Sequence, residues 1–406
     1  VRQSEIGRLR GVLLAAAVLL WGCGETSDSA GADPGDALAA RELAAVPEMV
    51  LGAEVEAAPE YQLYDVLELL VLQNGDLWVI DGDDRRRIRR FNADGDWLGD
   101  VSRQGEGPGE TSDPRALAQL PDGTVALLDL GRPGQLLLFA PDGEWLRTHT
   151  FDRAVNWAAS GAFTADRSGT LWIPVLDSGD EGNGRVWVRA DGLGEELTPV
   201  VVPDLGWIVP ESAPVSEGGF LTAPYTADLH ITRGPSGDLW AGWSGAYQIY
   251  RIARDESSNP DAPASPAPRV PLITRPFTTP VAVPAAERRE AAQALASIAA
   301  DFGGPDATVP EVPSRKPAYR ELKATRGGYL IVRVHTESEF DGEEWSEPSV
   351  LEIFDLSDDA RYLGRLELEG EQEVLDGGDL RLWTLHRDEL GVESIRRYEL
   401  RPGGSG

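Results

Sequence analysis

Gly75-Asp-Leu-Trp-Val-Ile-Asp81 decides the fold, because the chain repeats it. A glycine, one variable residue, Leu or Val and a further apolar run recur as Gly123-Thr-Val-Ala-Leu-Leu-Asp129, Gly169-Thr-Leu-Trp-Ile173, Gly237-Asp-Leu-Trp-Ala241 and Gly328-Tyr-Leu-Ile-Val332. A sixth copy, Gly378-Asp-Leu-Arg-Leu-Trp383, is less clean. Each is followed by a second apolar stretch with residues three apart: Ile88/Phe91, Leu136/Phe139, Ile249/Ile252, Leu351/Phe354 and Ile395/Tyr398, with Val186/Arg189 as the imperfect member. The opening glycines lie 48, 46, 68, 91 and 50 residues apart.

Each unit reads as strand, turn and strand. Asp94-Gly95, Asp142-Gly143 and Asp191-Gly192 supply the positive φ of tight hairpins. Trp, Val, Ile, Leu and Phe fill the strands between them. A unit of about 45 residues holding several short strands fits one blade of a β-propeller. A lone sheet cannot bury both its faces, so six of them packing around an axis is the expected solution. The reading is an all-β, six-bladed β-propeller over residues 48–402. Trp78, Trp172 and Trp240 share one position of the repeat and are expected between sheets.

Closure of such a ring makes a specific demand. Only six residues follow the last recognisable strand, 395–400. The sixth blade therefore lacks its outermost strand, and the segment near Met49–Val55 is expected to supply it.

One interval breaks the rhythm. Residues 253–318 hold 12 of the 29 prolines, and proline removes a ladder donor, so this cannot be a run of central strands. Inside it, 285–302 (AAERREAAQALASIAADF) places Ala291, Leu295, Ile298, Ala299 and Phe302 on one helical stripe, between Pro284 at the start and Gly303 at the stop. The interval reads as an excursion after blade four that lays a helix across one face of the ring, or as a disordered loop with a marginal helix.

The N-terminal region carries an address. Arg2, Arg8 and Arg10 precede eleven uncharged residues, Gly11 to Trp21, a run too short to span a bilayer. Leu20-Trp21-Gly22-Cys23 follows, and Cys23 is the sole cysteine. The pattern resembles the lipobox of bacterial lipoproteins, which implies a signal peptide over 1–22 and a lipid on the Cys23 thiol; the other reading is an ordinary signal peptide with an incidental cysteine. Residues 23–47 are small and polar and are expected to form a flexible tether. The tail 403–406 is set aside. Removing the three Arg and one Glu of 1–22 takes the net charge from −31 to −33. That surface repels nucleic-acid phosphates and anionic headgroups, so neither is an expected partner. With no second cysteine, stability must come from a core.

The whole combination resembles the six-bladed β-propeller lipoproteins of bacteria, related in fold to NHL-repeat proteins. The blade motif, Gln104-Gly-Glu-Gly-Pro-Gly-Glu110, Pro280-Val-Ala-Val-Pro-Ala-Ala-Glu-Arg288 and Lys316-Pro-Ala-Tyr319 carry the resemblance. It implies a fold and an exported location, and no catalytic motif transfers with it.

The chemistry-bearing residues are few. The loop at 104–110 is glycine-rich, but no helix follows to hold a phosphate; a strand-exit turn presenting Arg103 and Glu110 at the rim is expected instead. Asp81-Gly-Asp-Asp84, Asn92-Ala-Asp-Gly-Asp96 and Asp341-Gly-Glu-Glu344 lack calcium-loop spacing and read as hairpin turns. His335 and His386 hold comparable places in blades five and six, so a zinc site assembled across blades is conceivable; polar strand ends are the plainer reading. Trp207, Trp243 and Tyr247 fall outside the repeated tryptophan position, and Trp207 and Tyr247 join Arg103 and Glu110 as candidate ligand contacts. No metal and no cofactor is assigned.

These readings point to a monomeric, non-catalytic binding or scaffold module, lipid-anchored in the bacterial envelope on the periplasmic or outer-surface side. Its ligand would be an envelope protein, a peptide or a glycan, with membrane contact through the anchor alone. The alternative is a calcium- or zinc-dependent hydrolase or lyase with its site in the channel, an activity that other six-bladed propellers host. Replacing Cys23 by Ser should move the protein from the membrane pellet to the soluble fraction with an unchanged melting temperature. A destabilised ring in that variant would mean that the thiol belongs to the fold.

Overall fold

The computed structural model describes residues 41–403 except 53–57, 83–86, 132–133, 151–162, 178–183, 192–195, 201–212, 217–218, 254–270, 276–279, 304–308, 343, 371 and 389. The chain folds as a β-propeller. Its four-stranded antiparallel sheets follow one another in sequence. The first contains Val66–Val71, Leu77–Asp81, Arg87–Phe91 and Trp97–Ser102, and the second Pro114–Gln119, Val125–Asp129, Gln135–Phe139 and Trp145–Thr150. Thr164–Ala165, Leu171–Asp177, Gly184–Asp191 and Glu196–Val200 form the third; Leu229–Arg233, Leu239–Trp243, Gln248–Ile252 and Ile273–Thr274 form the fourth. The fifth is Tyr319–Ala324, Tyr329–Val334, Ser349–Asp355 and Arg361–Leu368. The sixth orders Gln372–Gly378, Arg381–Arg387 and Glu393–Pro402 outward and ends on Leu43–Leu51.

Where packing is described, neighbouring sheets bury their faces on one another. Leu70, Trp78 and Ile80 of the first sheet pack with Leu117, Leu137 and Phe139 of the second. Second and third meet through Leu136 and Leu171, fourth and fifth through Ile249 and Tyr319, and fifth and sixth through Ile353 and Leu382. Leu69, Phe91 and Ile395 join the sixth back to the first. Between third and fourth, the Arg233 guanidinium lies 3.7 Å from the Trp172 ring centroid. In the third sheet side-chain packing is described only up to Ile173, so five sheets are seen in pairing and packing alike and the third chiefly in pairing.

The repeat explains this economy. Gly75, Gly123, Gly169, Gly237 and Gly328 all sit at φ between 84° and 98°, the left-handed turn that starts each second strand. Trp78, Trp172 and Trp240 are at most 2% exposed, each at an interface between sheets. Fully burying a side chain of the Leu or Phe kind contributes roughly 1.5–3 kcal/mol. The paired positions Ile88/Phe91 and Leu136/Phe139 are wholly buried for the same reason.

Four expectations need correction. The sixth repeat is out of phase: Gly378 ends the inner strand, and Asp379 and Leu380 make the turn with φ of 50° and 60°. Gly378 is there because Gly327 of the neighbouring sheet approaches backbone to backbone. The outermost strand starts at Leu43, inside the stretch read as tether, because Leu43 pairs with Pro402 and the ladder runs to Leu51 opposite Ile395; residues 53–55 of the expected segment lie outside the described residues. The interval read as insertion contains the outer strand of the fourth sheet, since Ile273 and Thr274 pair with Ile249 and Gln248. The helix α1, Ala285–Gly303, is the one helix among the described residues. Leu295 and Ala299 of its expected stripe are buried, whereas Ile298 is exposed. The helix lies against the hairpin Ala213–Ser216/Gly219–Leu221 and Val312, a contact too narrow to cover the whole stripe. No helix among the described residues is long and apolar enough to cross a membrane.

The glycine contact between the fifth and sixth sheets can be tested sterically. A Cβ on Gly378 would stand 2.4–2.6 Å from Gly327 backbone atoms. Gly378→Ala should lower stability by about 1–3 kcal/mol, as overpacking does, read as a shift in the urea midpoint. An unchanged midpoint would mean that the two sheets part easily there.

Candidate functional site

The strand order assigns loops to the two ends of the ring. Hairpins between first and second strands gather at one end; hairpins between second and third strands, and the crossovers between sheets, gather at the other. At the first end a cavity of about 580 Å³ opens over the axis, with Gln73, Gln119, Arg167, Pro235, Arg326 and Asp379 on its walls.

Arg326 closes the floor. Its guanidinium crosses from the fifth sheet to donate to Leu69 O at 3.0 Å and Leu117 O at 2.8 Å, and it pairs with Glu68 at 2.7 Å. Its backbone N–H donates to Asp376 at 2.9 Å. Burial opposes the charge, yet Glu68 and Asp376 hold its pKa above the ordinary value. Lys323, deeper in, donates to Val374 O at 2.6 Å. The axis is thus occupied by the Arg326–Glu68 ion pair and by cationic side chains bonded to strand carbonyls.

The second end holds a different kind of site. Between the fourth and fifth sheets lies a cavity of about 380 Å³, walled by the crossover at Tyr225–Asp228, the first turn of α1, the start of the fifth sheet and the loop from His335 to Glu347. Lys316, wholly buried, lies beside it and spends three donors at once: on Glu347 Oε1 at 2.9 Å, Thr336 O at 2.8 Å and Ser338 Oγ at 2.6 Å. An ammonium has no fourth donor. Glu347 is equally engaged, accepting from His335 Nδ1 at 3.1 Å and Thr336 N at 2.9 Å. Burial works to raise its pKa, but the bonds from His335, Thr336 and Lys316 prevail and hold it at about 2.

Tyr225 adds strain to this wall. Its φ of 62° is unusual for a bulky side chain and costs on the order of 1–3 kcal/mol. Three contacts fix it there. The hydroxyl donates to Glu287 Oε1, the ring stands edge-on to His335 at 5.7 Å, and Lys316 Nζ lies 5.2 Å from its centroid. Burial and the Glu287 carboxylate raise the phenol's pKa. Ser338 Oγ also donates to Glu287 Oε1, at 3.0 Å.

Two residues that line this cavity carry buried polar atoms with no hydrogen-bond partner among the described residues, Glu287 Oε2 and the Tyr319 hydroxyl, the latter close to Gly242. Glu287 is 5% exposed and Tyr319 wholly buried. Glu287 belongs to the first turn of α1, where the helix dipole favours a carboxylate. Tyr319 opens the inner strand of the fifth sheet and meets the His230 ring at 5.2 Å.

The candidates read from sequence fall elsewhere. Arg103 and Glu110 do come together, but with each other, at 2.8 Å. Glu110 also accepts from Gly107 N at 2.9 Å, and that bond and Arg103 lower its pKa; the carboxylate serves to fasten its own turn. Tyr247 is buried between the fourth and fifth sheets, where it donates to Glu352 Oε2 at 2.6 Å, so it is a packing residue rather than a ligand surface. Trp207 and Cys23 lie outside the described residues. The chain brings His335 and His230 to one cavity, while His386 pairs in register with Gln372 of the sixth sheet. Among the described residues no group of three or more His, Cys, Asp or Glu could hold a metal. The Asn92–Asp96 and Asp341–Glu344 stretches are hairpin turns closed by their own side chains.

Sequence reading passed over Tyr225, Glu287, Lys316, His335 and Glu347 as a group. One signal was present: two stretches that carried the family resemblance, 280–288 and 316–319, contain Glu287, Lys316 and Tyr319. The aspartates that close the first two motifs have a structural role away from this cavity. Asp81 accepts from Asp65 N at 3.1 Å and pairs with Arg89, and Asp129 accepts from Ser112 N at 2.8 Å and Asp113 N at 2.6 Å. Each ties the second strand of its sheet to the preceding crossover.

No protein-family model and no curated protein matches the chain. Among solved structures it is similar to a Bacteroides fragilis NCTC 9343 protein described as a "Putative exported protein", with 13% identity and a TM-score of 0.48 over 89% of this chain and 95% of that one. A Bacteroides thetaiotaomicron VPI-5482 protein of unknown function is similar at 11% identity and a TM-score of 0.41, over 88% and 76%. A "putative gluconolactonase" is similar at 11% identity and a TM-score of 0.38, over 88% and 100%.

Glu347 gives the site a pH signature. Its pKa falls from an ordinary 4.5 to about 2 on folding, so its contribution to stability is complete above pH 4.5 and is lost as pH drops toward 2. Urea unfolding of the wild type and Glu347→Gln should therefore differ by a few kcal/mol at neutral pH and converge through that window. A difference that persists unchanged to pH 2 would contradict the ion-pair account.

Proposed function

We propose that the protein is a six-bladed, lipid-anchored propeller of the bacterial envelope that binds a small ligand at the cavity between its fourth and fifth blades. The observation that carries the binding reading is the pair of buried polar atoms, Glu287 Oε2 and the Tyr319 hydroxyl, on two residues that line one cavity. Leaving such groups unmet costs free energy unless something enters to meet them. The strained Tyr225, held on three sides, supports the same reading, because such conformations cluster at ligand sites.

The way the other polar groups are spent supports a non-catalytic role. Lys316 is an ammonium with all its donors used, and Glu347 is a carboxylate held in an ion pair, so neither can take a proton from Ser338. The signal-like 1–22 stretch and Cys23 support the envelope anchor, and the six successive four-stranded sheets support the blade number. The metal-dependent alternative has no gathering of ligands among the described residues to favour it.

A copurification experiment tests the reading. Small molecules extracted from the intact lipidated protein and identified by mass spectrometry should be present with the wild type and lost with Ser346→Trp, which places a bulky ring at the exposed rim of the cavity. A molecule retained equally by both proteins would place binding elsewhere. Recovery of none from the wild type would remove the support for a resident ligand.

A further inference from the structure

The chemical class of the ligand can be read from the charges left over in this cavity, an inference that rests on the binding reading above. Three carboxylates line it, Asp228, Glu287 and Glu347, against one cationic wall residue, Arg320. Lys316 neutralises Glu347 directly. Glu287 is different: both groups that touch its Oε1, the hydroxyls of Tyr225 and Ser338, are neutral. Its Oε2 has no partner among the described residues, and the side chain is almost fully buried.

The neighbouring cation, Lys316, reaches Glu287 only through the Ser338 hydroxyl and is already paired with Glu347. Among the described residues this buried carboxylate therefore has no cation in direct contact, and it is favoured by one that enters. An anionic ligand would add to the excess of negative charge, and a neutral one would leave it uncompensated. Tyr225, Tyr319 and Trp345 supply aromatic walls, whose faces attract organic cations. The net charge of −31 draws cations toward the surface from solution. The Tyr319 hydroxyl, without a hydrogen-bond partner among the described residues, offers a place for a second polar group on the same molecule.

We infer that the cavity binds a small primary amine, its ammonium donating to Glu287 Oε2 and a second polar group, such as a hydroxyl or carbonyl, meeting the Tyr319 hydroxyl. Glu287 is then the charge-selecting residue and Tyr319 the one that sets polarity at the far end. Tyr225 and Ser338 position Glu287 by occupying its other oxygen, and α1 brings it to the ring.

Calorimetric titration of the full-length protein at neutral pH with aminopentanol and with pentanediol tests this, because the two probes differ only in ammonium against hydroxyl. Aminopentanol should bind saturably, and pentanediol at least about tenfold more weakly, a factor equal to ~1.4 kcal/mol. Glu287→Gln keeps an oxygen for Tyr225 and Ser338, and it should weaken aminopentanol by a similar factor with the circular dichroism spectrum unchanged. Tyr319→Phe should weaken it several-fold and leave the preference for amine over diol intact. Equal affinity for both probes, no binding of the amine by the wild type, or an amine affinity unmoved by Glu287→Gln would each overturn the inference. If the amine fails while a neutral or anionic molecule copurifies in a manner sensitive to Ser346→Trp, the cation reading falls alone and the binding site stands.

Discussion

A ring of sheets has one joint that the chain cannot make by simply continuing, and here it is the pairing of Leu43–Leu51 with Glu393–Pro402. The sheets whose packing is described are apolar on both faces, so each needs a neighbour on either side. If the ring were open, Leu69, Phe91 and Ile395 would lose the cluster they share, and the first and last sheets would each present an apolar face to water. The joint is fastened by more than ladder bonds. Glu48, on the N-terminal strand, pairs with both Arg381 and Arg397 at 3.0 and 2.9 Å. Glu393 of the sixth sheet accepts from Val66 N of the first at 2.5 Å, so the last sheet also holds the amide that opens the next.

Closure creates an axis, and the chain fills it with charge rather than leaving it open. Arg326 spans it, bonded to the first and second sheets while its own backbone is held by the sixth. A guanidinium suits the task because its planar donors can reach several acceptors at once. With the axis occupied, the off-axis cavity between fourth and fifth sheets becomes the place where chemistry can be offered. That cavity depends on departures from the repeat: the helix α1, which carries Glu287, and the crossover that bends at Tyr225. The regular blades build the platform, and the irregular loops between them carry its specificity.

The architecture was legible because its signals are local. A glycine at positive φ followed by alternating apolar residues marks a hairpin wherever it falls, and the shared position of Trp78, Trp172 and Trp240 follows from equivalent surroundings in each sheet. Legibility failed where a long-range contact overrode the pattern. Gly378 resembles the other opening glycines, yet it serves a backbone contact with Gly327 in the neighbouring sheet, and the turn falls to Asp379 and Leu380. Tyr247 looked like a surface aromatic because it lies outside the repeat; partners more than a hundred residues away bury it. The loop at Arg103–Glu110 had the composition of a rim site, but its charges are consumed within the loop.

The sequence by itself determined the sheet repeat, the N-terminal closure, the helix that starts at Ala285 and the negative net charge, since each rests on spacing, turn chemistry or composition. Tertiary structure alone decided the cavity. Tyr225, Glu287, Tyr319 and the His335–Glu347 loop come from four separate segments, and no repeat spacing in the chain relates them. Which of their polar atoms are satisfied depends on distances that exist only once the ring has closed and the helix has docked. A buried carboxylate oxygen left without a partner is a property of that assembled geometry, and it is the property from which the ligand's charge can be read.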